Sequence, residues 1–283
     1  MSLSRSCRLF GISRQAIYQS RNRAQERAFE LEEIKPLVQT VRMRMPRLGT
    51  RKLYYLLKEE LSCRGIKLGR DGLFDYLRRE NLLIKPKKNY TKTTDSKHWL
   101  KKYPNLFKER KAIRSEEVFV SDITYIKSKD RTHYLSLVTD AYSRKIMGYH
   151  LSNGMGSEEI VQALKMAVNN RKNNKDLIHH SDRGLQYCSA IYQNELKQGN
   201  IKASMTDGYD CYQNALAERI NGILKNEFLI YECKNEIELN QLIKESIDIY
   251  NNERPHLSLN FKTPNFIHEK TCEDYSTGLL NLI

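Results

Sequence analysis

The sequence predicts an α/β protein, in which a mixed five-stranded sheet with flanking helices follows a small all-α region. Residues 30–84 carry apolar side chains at helical spacing. After residue 115, three short apolar runs follow one another closely, and helical and strand patterns then alternate. This order of elements predicts a mixed sheet that is covered by helices.

Residues 1–28 are similar to the end of a helix-turn-helix. Gly11 lies at a turn, Ser13 is the expected N-cap, and Arg14 opens a helix that carries further arginines. Such a helix could lie near DNA phosphates, and Arg14 is our candidate for a contact. The same pattern also fits a basic helix that is simply solvated.

Residues 29–84 read as three short helices of a small DNA-binding domain. Their apolar positions recur at helical spacing, and the remaining positions are rich in arginine and lysine. Arg51 and Lys52 are the candidate DNA contacts. The three helical segments are residues 30–45, 50–63 and 70–84.

Charge is unevenly distributed along the 283 residues, whose net charge is +14. Residues 1–114 hold 29 basic and 11 acidic side chains, and the rest of the chain holds 19 and 23. A basic front part joined to a nearly neutral back part indicates contact with nucleic acid through the front. A basic protein with a solvated surface is the plainer alternative.

Residues 85–114 are interpreted as a basic linker, because they are rich in lysine and show little periodicity. Trp99, Tyr103 and Phe107 lie within it. These aromatic side chains could pack on a neighbouring domain or stack on bases, and packing is favoured.

Residues 115–230 are expected to form a ribonuclease H-like catalytic core, and residues 231–283 a C-terminal helical extension. Three strands in a meander come first, and strands alternating with helices follow. A long helix begins at about Asn214. The expected strands are residues 118–128, 133–142, 145–152, 177–182 and 201–206.

Three carboxylates are the candidate catalytic and metal-binding residues: Asp122, Asp182 and Glu218. Asp122 and Asp182 end apolar runs that read as strands, and Glu218 lies on an amphipathic helix 36 positions after Asp182. Acids that converge from strand ends and a helix can hold two Mg²⁺ or Mn²⁺ ions. We expect Asp122 to bridge the ions, with Asp182 and Glu218 each holding one.

The helix around Glu218 has one polar face, on which Asn214, Glu218, Asn221 and Lys225 recur at helical spacing. Lys225, two turns after Glu218, could reach a DNA phosphate, and Asn214 is a further candidate contact. Taken alone, these residues fit an ordinary solvated helix face. Together with the two strand-end aspartates, however, they favour a functional site over a solvated helix face.

Other polar residues near the acids were weighed in the same way. Arg183 beside Asp182 is a candidate for a phosphate or backbone contact. A structural role is favoured for His180, and a turn-shaping role for Asp140. Competing third carboxylates are Asp207 and Asp210.

The six cysteines form no C-x-x-C pair, so neither a disulfide framework nor a structural zinc site is expected. Isolated cysteines of this kind fit a reducing cytosol. No apolar run of about 18 residues predicts a membrane span, and the first 15 residues lack the pattern of a signal peptide.

Several motifs together resemble the orfB-type transposases of the bacterial insertion-sequence family three, which belong with DDE transposases and retroviral-type integrases. The resemblance covers nearly the full length. The motifs are PRLGTRKLYYLLKEE, FVSDITYI, TDAYSRKIMGYHLS, HSDRGLQYCS, NALAERINGILKNE and YNNERPHLSLNFKTP.

The resemblance implies a ribonuclease H-like fold, dependence on Mg²⁺ or Mn²⁺, and action on the ends of the element's own DNA. It matches Asp122, Asp182 and Glu218 to the family triad, and Lys225 to its basic residue. It also implies a multimer on DNA and an orfA-type partner or upstream fusion. Tyr209 and Gln213 depart from the usual glycine and aspartate of the preceding loop.

The expected function is therefore that of an insertion-sequence transposase, which cleaves DNA and transfers the freed strand to a new site. Two alternatives remain open at this point. One is a structure-specific nuclease that hydrolyses without joining. The other is a non-enzymatic regulator, or a catalytic module active only when it is fused to the orfA-type product.

Overall fold

The computed structural model describes residues 3–85, 100–108, 110–207 and 214–276. It divides the chain into two compact units, Met1–Lys85 and Pro86–Ile283. Each unit has its own apolar core. The two are therefore described separately.

The first unit is all-helical. Gly11, with a φ of 65°, allows the turn after α1, and the hydroxyl of Ser13 caps α2 by accepting from the N–H of Ala16 at 3.0 Å. The expected N-cap is thus confirmed. The helices are α1 (Leu3–Leu9), α2 (Arg14–Glu32), α3 (Ile34–Arg44), α4 (Thr50–Cys63) and α5 (Arg70–Arg79).

Two helices of the first unit differ from the sequence prediction. The expected helix over residues 70–84 is shorter, because α5 ends at Arg79. The expected helix over residues 30–45 is split, because α2 runs on to Glu32 and α3 begins at Ile34. Pro36 lies in the first turn of α3, where its missing N–H costs no hydrogen bond. The core of this unit is formed by Ile34, Val38, Leu48, Leu53, Leu57, Leu61, Leu73 and Leu77.

The second unit is built on a mixed five-stranded sheet with the order β3-β2-β1-β4-β5. The β1–β2 and β2–β3 pairs are antiparallel, whereas β1–β4 and β4–β5 are parallel. This confirms the predicted fold class. The strands are β1 (Val118–Lys127), β2 (Thr132–Asp140), β3 (Ile146–Ser152), β4 (Leu177–Ser181) and β5 (Ile201–Met205).

Helices lie on both faces of this sheet, because successive side chains of a strand point to opposite sides. Phe119 packs with residues of α6 and α8, whereas Val118 and Val120 pack with Ala217 of α9. The helices are α6 (Ser157–Asn169), α7 (Leu185–Cys188), α8 (Ala190–Gln198), α9 (Ala215–Ile223), α10 (Glu236–Asn252) and α11 (Pro264–Ser276). A wide π-helical turn, Leu224–Phe228, extends α9.

Helix α6 approaches β3 very closely at Gly148. A Cβ at this position would lie 2.1 Å from the carbonyl oxygen of Ala163 and 2.6 Å from the nitrogen of Ala167. The β2–β3 register also shifts between Val138 and Thr139, opposite this point. Only glycine fits this contact between helix and sheet.

The last part of the expected linker packs on the second unit. Tyr103 lies against the cluster around Phe119, and Phe107 against the cluster around Val120. The N–H of Leu106 donates to the hydroxyl of Ser204 at 2.9 Å. The packing role predicted for Tyr103 and Phe107 is therefore confirmed, whereas Trp99 lies outside the described residues.

A buried polar cluster ties α11 to the start of β1. His268 contacts Glu116 at 3.2 Å and the hydroxyl of Ser143 at 3.1 Å, and Asp140 accepts from the N–H groups of Glu116 and Ser143. Burial alone would raise the pKa of Glu116, but hydrogen bonds from His268 and two backbone N–H groups lower it. Asp140 therefore shapes the turn after β2, as expected.

Within the described parts of the chain, no helix combines the length and apolar character that a membrane span requires.

Candidate active site

Asp122 and Asp182 lie on neighbouring parallel strands. Asp182 directly follows β4, as expected, whereas Asp122 lies in the middle of β1 and not at its end. The two strands pair as Val118 with Ile178 and Val120 with His180. The same offset of 60 residues relates Asp122 to Asp182, so the parallel register brings the two aspartates to adjacent positions.

Glu218 reaches the same region from α9. This helix packs on the face of β1 that holds Val118 and Val120, through Ala217 on the residue before. Glu218 itself is exposed. The apolar and polar faces predicted for this helix thus place the glutamate above the sheet while its neighbour is buried in the core.

The pKa values show that the three carboxylates share one electrostatic environment. Burial and then the charge of Asp182 are the main causes that raise the pKa of Asp122 to about 7, and Glu218 adds to them. Burial and the charge of Asp182 also raise the pKa of Glu218. Like charges this close favour protonation or a bound cation.

Asn221 is a site residue to which sequence analysis gave no role. Its side chain is 4% exposed, and its amide Nδ2 donates to Oδ2 of Asp122 at 2.7 Å. This bond favours the ionised form of Asp122 and lowers its pKa. The signal in the sequence was the spacing, since Asn221 lies one helical turn after Glu218.

Asn214, in contrast, is placed where it does not support the expected DNA contact. It is 5% exposed, and its Nδ2 donates to the carbonyl oxygen of Ser121 at 3.2 Å. The α9 helix begins at Ala215, so Asn214 joins the start of this helix to the β1 backbone. Its polar side chain had suggested exposure, but the close packing of α9 on β1 buries it.

Lys225 lies on the π-helical turn after Glu218, half-buried against β1. Its Nζ donates to the hydroxyl of Thr124 at 3.2 Å and lies 4.2 Å from the centre of the Tyr125 ring. Burial is the main cause that lowers the pKa of Lys225, and the nearby Tyr125 and Asp122 oppose this effect. A cation is thus held beside the acidic cluster.

The loop after β4 is shaped by hydrogen bonds around Asp182. Oδ1 of Asp182 accepts from the N–H of Gly184 at 3.0 Å. Nε of Arg183 donates to the carbonyl oxygen of Thr206 at 2.5 Å, which ties this loop to the residue after β5. The phosphate contact of Arg183 stays a prediction.

The two histidines before Asp182 are buried in the sheet. Nδ1 of His180 contacts the hydroxyl of Ser204 at 2.9 Å. Nε2 of His179 contacts the hydroxyls of Ser121 at 2.7 Å and Tyr192 at 2.9 Å. These contacts fit the structural role that was favoured for His180.

Two of the competing acids are accounted for differently. Asp207 forms an ion pair with Lys108 at 3.3 Å, and its side chain is 41% exposed. Asp210 lies outside the described residues. Asp140 belongs to the buried cluster with Glu116, away from Asp122.

The donor set of the cluster fits hard divalent ions, because all three candidate ligands are carboxylates in a common field of negative charge. Within the described residues, no three Asp, Glu, His or Cys side chains converge on a single ion. The predicted arrangement does not require this, since a bridging Asp122 leaves each ion with two acids and with water.

The candidate DNA contacts of the first unit lie on two helices. Arg14 is the first residue of α2, and Arg51 and Lys52 are in the first turn of α4. Arg14 and Arg51 are exposed, and Lys52 is half-buried. All three could meet a phosphate without a change of backbone.

Comparison with known proteins supports this fold and its function class. Two families of integrase core domains match, at residues 113–211 and 199–264. A chain of the simian T-cell lymphotropic virus intasome, solved with a regulatory subunit of PP2A, is 18% identical, with a TM-score of 0.50. The match covers 78% of this chain and 74% of the intasome chain, and it shows that the two share a fold.

Two relatives come from bacterial insertion sequences. An uncharacterized 31 kDa protein of insertion element IS600 from Shigella sonnei is 35% identical over 93% of this chain and 97% of its own length. Transposase InsF of insertion sequence IS3A from Escherichia coli is 34% identical over 60% of each chain. The match to the IS600 protein runs over both units, and the chain belongs to the family of IS3-type DDE transposases.

Proposed function

We propose that the chain is a metal-dependent DNA strand transferase that cleaves the ends of its own element and joins them to target DNA. The observation that carries this proposal is the parallel β1–β4 register, which brings Asp122 and Asp182 to adjacent positions, with Glu218 in the same electrostatic environment. Membership of a transposase family supplies the substrate class. The triad and its metals are our inference.

Asp122 would bridge two Mg²⁺ or Mn²⁺ ions, with Asp182 and Glu218 each holding one. When bound, such ions supply Lewis acidity to phosphodiester oxygens and neutralise the three carboxylates. Asn221 would keep Asp122 ionised and oriented toward them, through the 2.7 Å hydrogen bond. Lys225 would place a positive charge beside the phosphate that enters.

The reaction has two balanced steps. Water attacks the phosphorus at the element end, so that one P–O bond forms, the bond to the 3′ oxygen breaks, and a 3′-hydroxyl is freed. This hydroxyl then attacks a phosphodiester of the target, and one P–O bond again replaces another. Neither step requires a covalent bond between protein and DNA or an external source of energy.

The first unit is proposed to bind the DNA ends through Arg14, Arg51 and Lys52. It holds 19 basic and 9 acidic side chains, a net charge of +10. Joining two ends to one target requires two sites at once, so the active form is proposed to be a multimer on DNA. An orfA-type partner or fusion would add to this binding.

The test is a cleavage and joining assay with DNA that carries both element ends, in Mg²⁺. We expect joined products from the unaltered chain, alone or with the orfA-type product, and a loss of at least a thousandfold for Asp122→Asn, Asp182→Asn and Glu218→Gln. Asp207→Asn is the matched control and should retain activity. End binding should persist in every variant.

Three outcomes would each contradict a part of the proposal. Cleavage without joined products would favour a structure-specific nuclease. End binding without products under any condition, including addition of the orfA-type product, would favour a regulator that occupies the ends. Full activity of the Asp182→Asn variant would remove the triad from the reaction.

A further inference from the structure

Lys225 is held by two groups of the central strand. The hydroxyl of Thr124 accepts from its Nζ at 3.2 Å, and the face of the Tyr125 ring lies 4.2 Å from the same atom. A lysine side chain has four carbons between backbone and charge, and it is normally mobile. Two contacts with one rigid strand fix the position of this ammonium group.

Tyr125 is itself rigidly placed. It lies three residues after Asp122 on β1, and it is paired directly with Tyr134 of β2. The β1–β4 pairing covers only Val118–Val120, so β1 continues past β4 toward Tyr125. Because Tyr125 is three positions from Asp122, its side chain leaves the opposite face of β1, and the ring meets the Lys225 ammonium group in the part of the strand beyond the β4 pairing.

The backbone of Lys225 is fixed from the opposite side. Lys225 lies in the π-helical turn, and wide turns of this kind are rare and often occur at functional sites. Glu227 in the same turn accepts two hydrogen bonds from Arg254, each at 2.8 Å, and the Arg254 side chain is 3% exposed. This bidentate pair anchors the turn to the segment after α10.

We propose that Tyr125 is a positioning residue for DNA, whose ring holds the Lys225 ammonium group where a phosphate next to the scissile bond enters. Thr124 and the ring occupy two of the three N–H directions of Nζ, and within the described residues the third is left for a phosphate oxygen. A ring attracts a cation without neutralising it, so Lys225 keeps its charge for the DNA. The inference rests on the proposed function.

The test compares the salt dependence of DNA binding by the full chain. The probe is a duplex that carries one end of the element, in EDTA, so that no strand is cut. Lys225→Gln should weaken binding about fivefold and reduce the slope of log affinity against log salt by about 0.9, the value for one phosphate contact. Tyr125→Ile should give the same change, and the double variant no further loss.

Two controls separate positioning from a change in folding. Tyr125→Phe keeps the ring and should keep the slope. Tyr134→Ile removes the directly paired tyrosine of β2, and therefore tests the loss of the cross-strand contact alone; its slope should not change.

Fluorinated phenylalanines at position 125 keep the shape of the ring but weaken its negative face, and affinity should fall with each fluorine.

The proposal is overturned if Tyr125→Ile keeps the parent slope, if its loss adds to that of Lys225→Gln, or if fluorination leaves affinity unchanged. These results do not depend on strand joining. Suppose that DNA binding depends on Tyr125 but no joined products form. The proposed reaction would then be contradicted, whereas the proposed role of Tyr125 in binding would stand. The two proposals can therefore fail separately.

Discussion

At the scale of single residues, the Asn221 amide is the most informative contact of the site. It donates to Asp122, whose pKa is raised to about 7 by burial and by neighbouring acids. An amide side chain does not titrate, so it can donate this hydrogen bond at every pH. Asn221 therefore opposes the protonation that the surroundings of Asp122 favour.

We predict that Asn221→Ala raises the pKa of Asp122 further above 7 in the metal-free protein, because it removes a hydrogen bond that favours the charged form. Carbon-13 NMR of labelled aspartate would measure this change. Asn214→Ala is the matched control, since this equally buried amide donates to a backbone carbonyl and not to a carboxylate. A pKa for Asp122 that is unchanged in Asn221→Ala would contradict the assignment.

A second prediction concerns His179, whose burial is the main cause that lowers its pKa to about 3. In the unfolded chain this histidine takes up a proton near pH 6.5, whereas the folded chain does so only near pH 3. The free energy of unfolding should therefore fall as pH drops from 6.5 toward 3, by up to about 1.4 kcal/mol per pH unit from this residue.

Urea unfolding at pH 7 and pH 5 would test this. His179→Gln keeps a polar partner for Ser121 and Tyr192 but cannot take up a proton. It should be less stable than the parent at pH 7, by about 1 kcal/mol, and lose less stability on going to pH 5. If the parent and the variant lose the same free energy of unfolding between pH 7 and pH 5, another group governs the loss of stability in acid.

At the scale of elements, the contact between α6 and β3 depends on Gly148. A methyl group there would meet the backbone of α6 at 2.1 Å, so the helix would have to move away from the sheet. We predict that Gly148→Ala lowers the free energy of unfolding by about 3 kcal/mol, measured by urea unfolding.

Gly154→Ala is the matched control for this prediction. An added Cβ at Gly154 would meet nothing within 4 Å, and its backbone needs no left-handed conformation. Its effect should stay within about 0.5 kcal/mol. A similar loss of stability in both variants would attribute the effect to chain flexibility, and not to the contact with α6.

Sequence periodicity was sufficient to predict most helices and strands of this fold. It was insufficient where contacts with residues distant in the chain determine the local structure. The five strands and the Ser13 cap follow from local patterns, and the structure confirms them. The π-helical turn after α9 does not, because Glu227 is anchored there by Arg254, 27 positions away in the chain. The burial of Asn214 likewise depends on how closely α9 packs against β1, which polarity alone does not show.

At the scale of the whole molecule, the two units divide the charge between them. The first unit, residues 1–85, holds 19 basic and 9 acidic side chains, whereas the second unit, residues 86–283, holds 29 basic and 25 acidic ones. Long-range attraction to DNA should therefore act mainly through the first unit. The second unit would then contribute a small number of contacts near the chemistry, of which Lys225 is the clearest.

This division predicts a measurable difference between arginines. Arg14→Gln and Arg51→Gln should each reduce the salt slope of end binding by about 0.9, because each would remove one phosphate contact. Arg131→Gln, an exposed arginine in the β1–β2 turn of the second unit, should leave the slope unchanged. If the salt slope of end binding is the same in all three variants, a DNA-binding role of Arg14 and Arg51 in the first unit is contradicted.

The cluster that joins His268 to Glu116 and Asp140 has a genetic consequence. A gene copy cut short before His268 would encode a chain in which the buried Glu116 has lost the side chain that contacts it at 3.2 Å, and Ser143 has lost the ring that contacts its hydroxyl. We expect such a chain to unfold and to be degraded, which pulse labelling in cells would detect. Damaged copies that end before α11 would therefore not accumulate as inhibitors of the intact element.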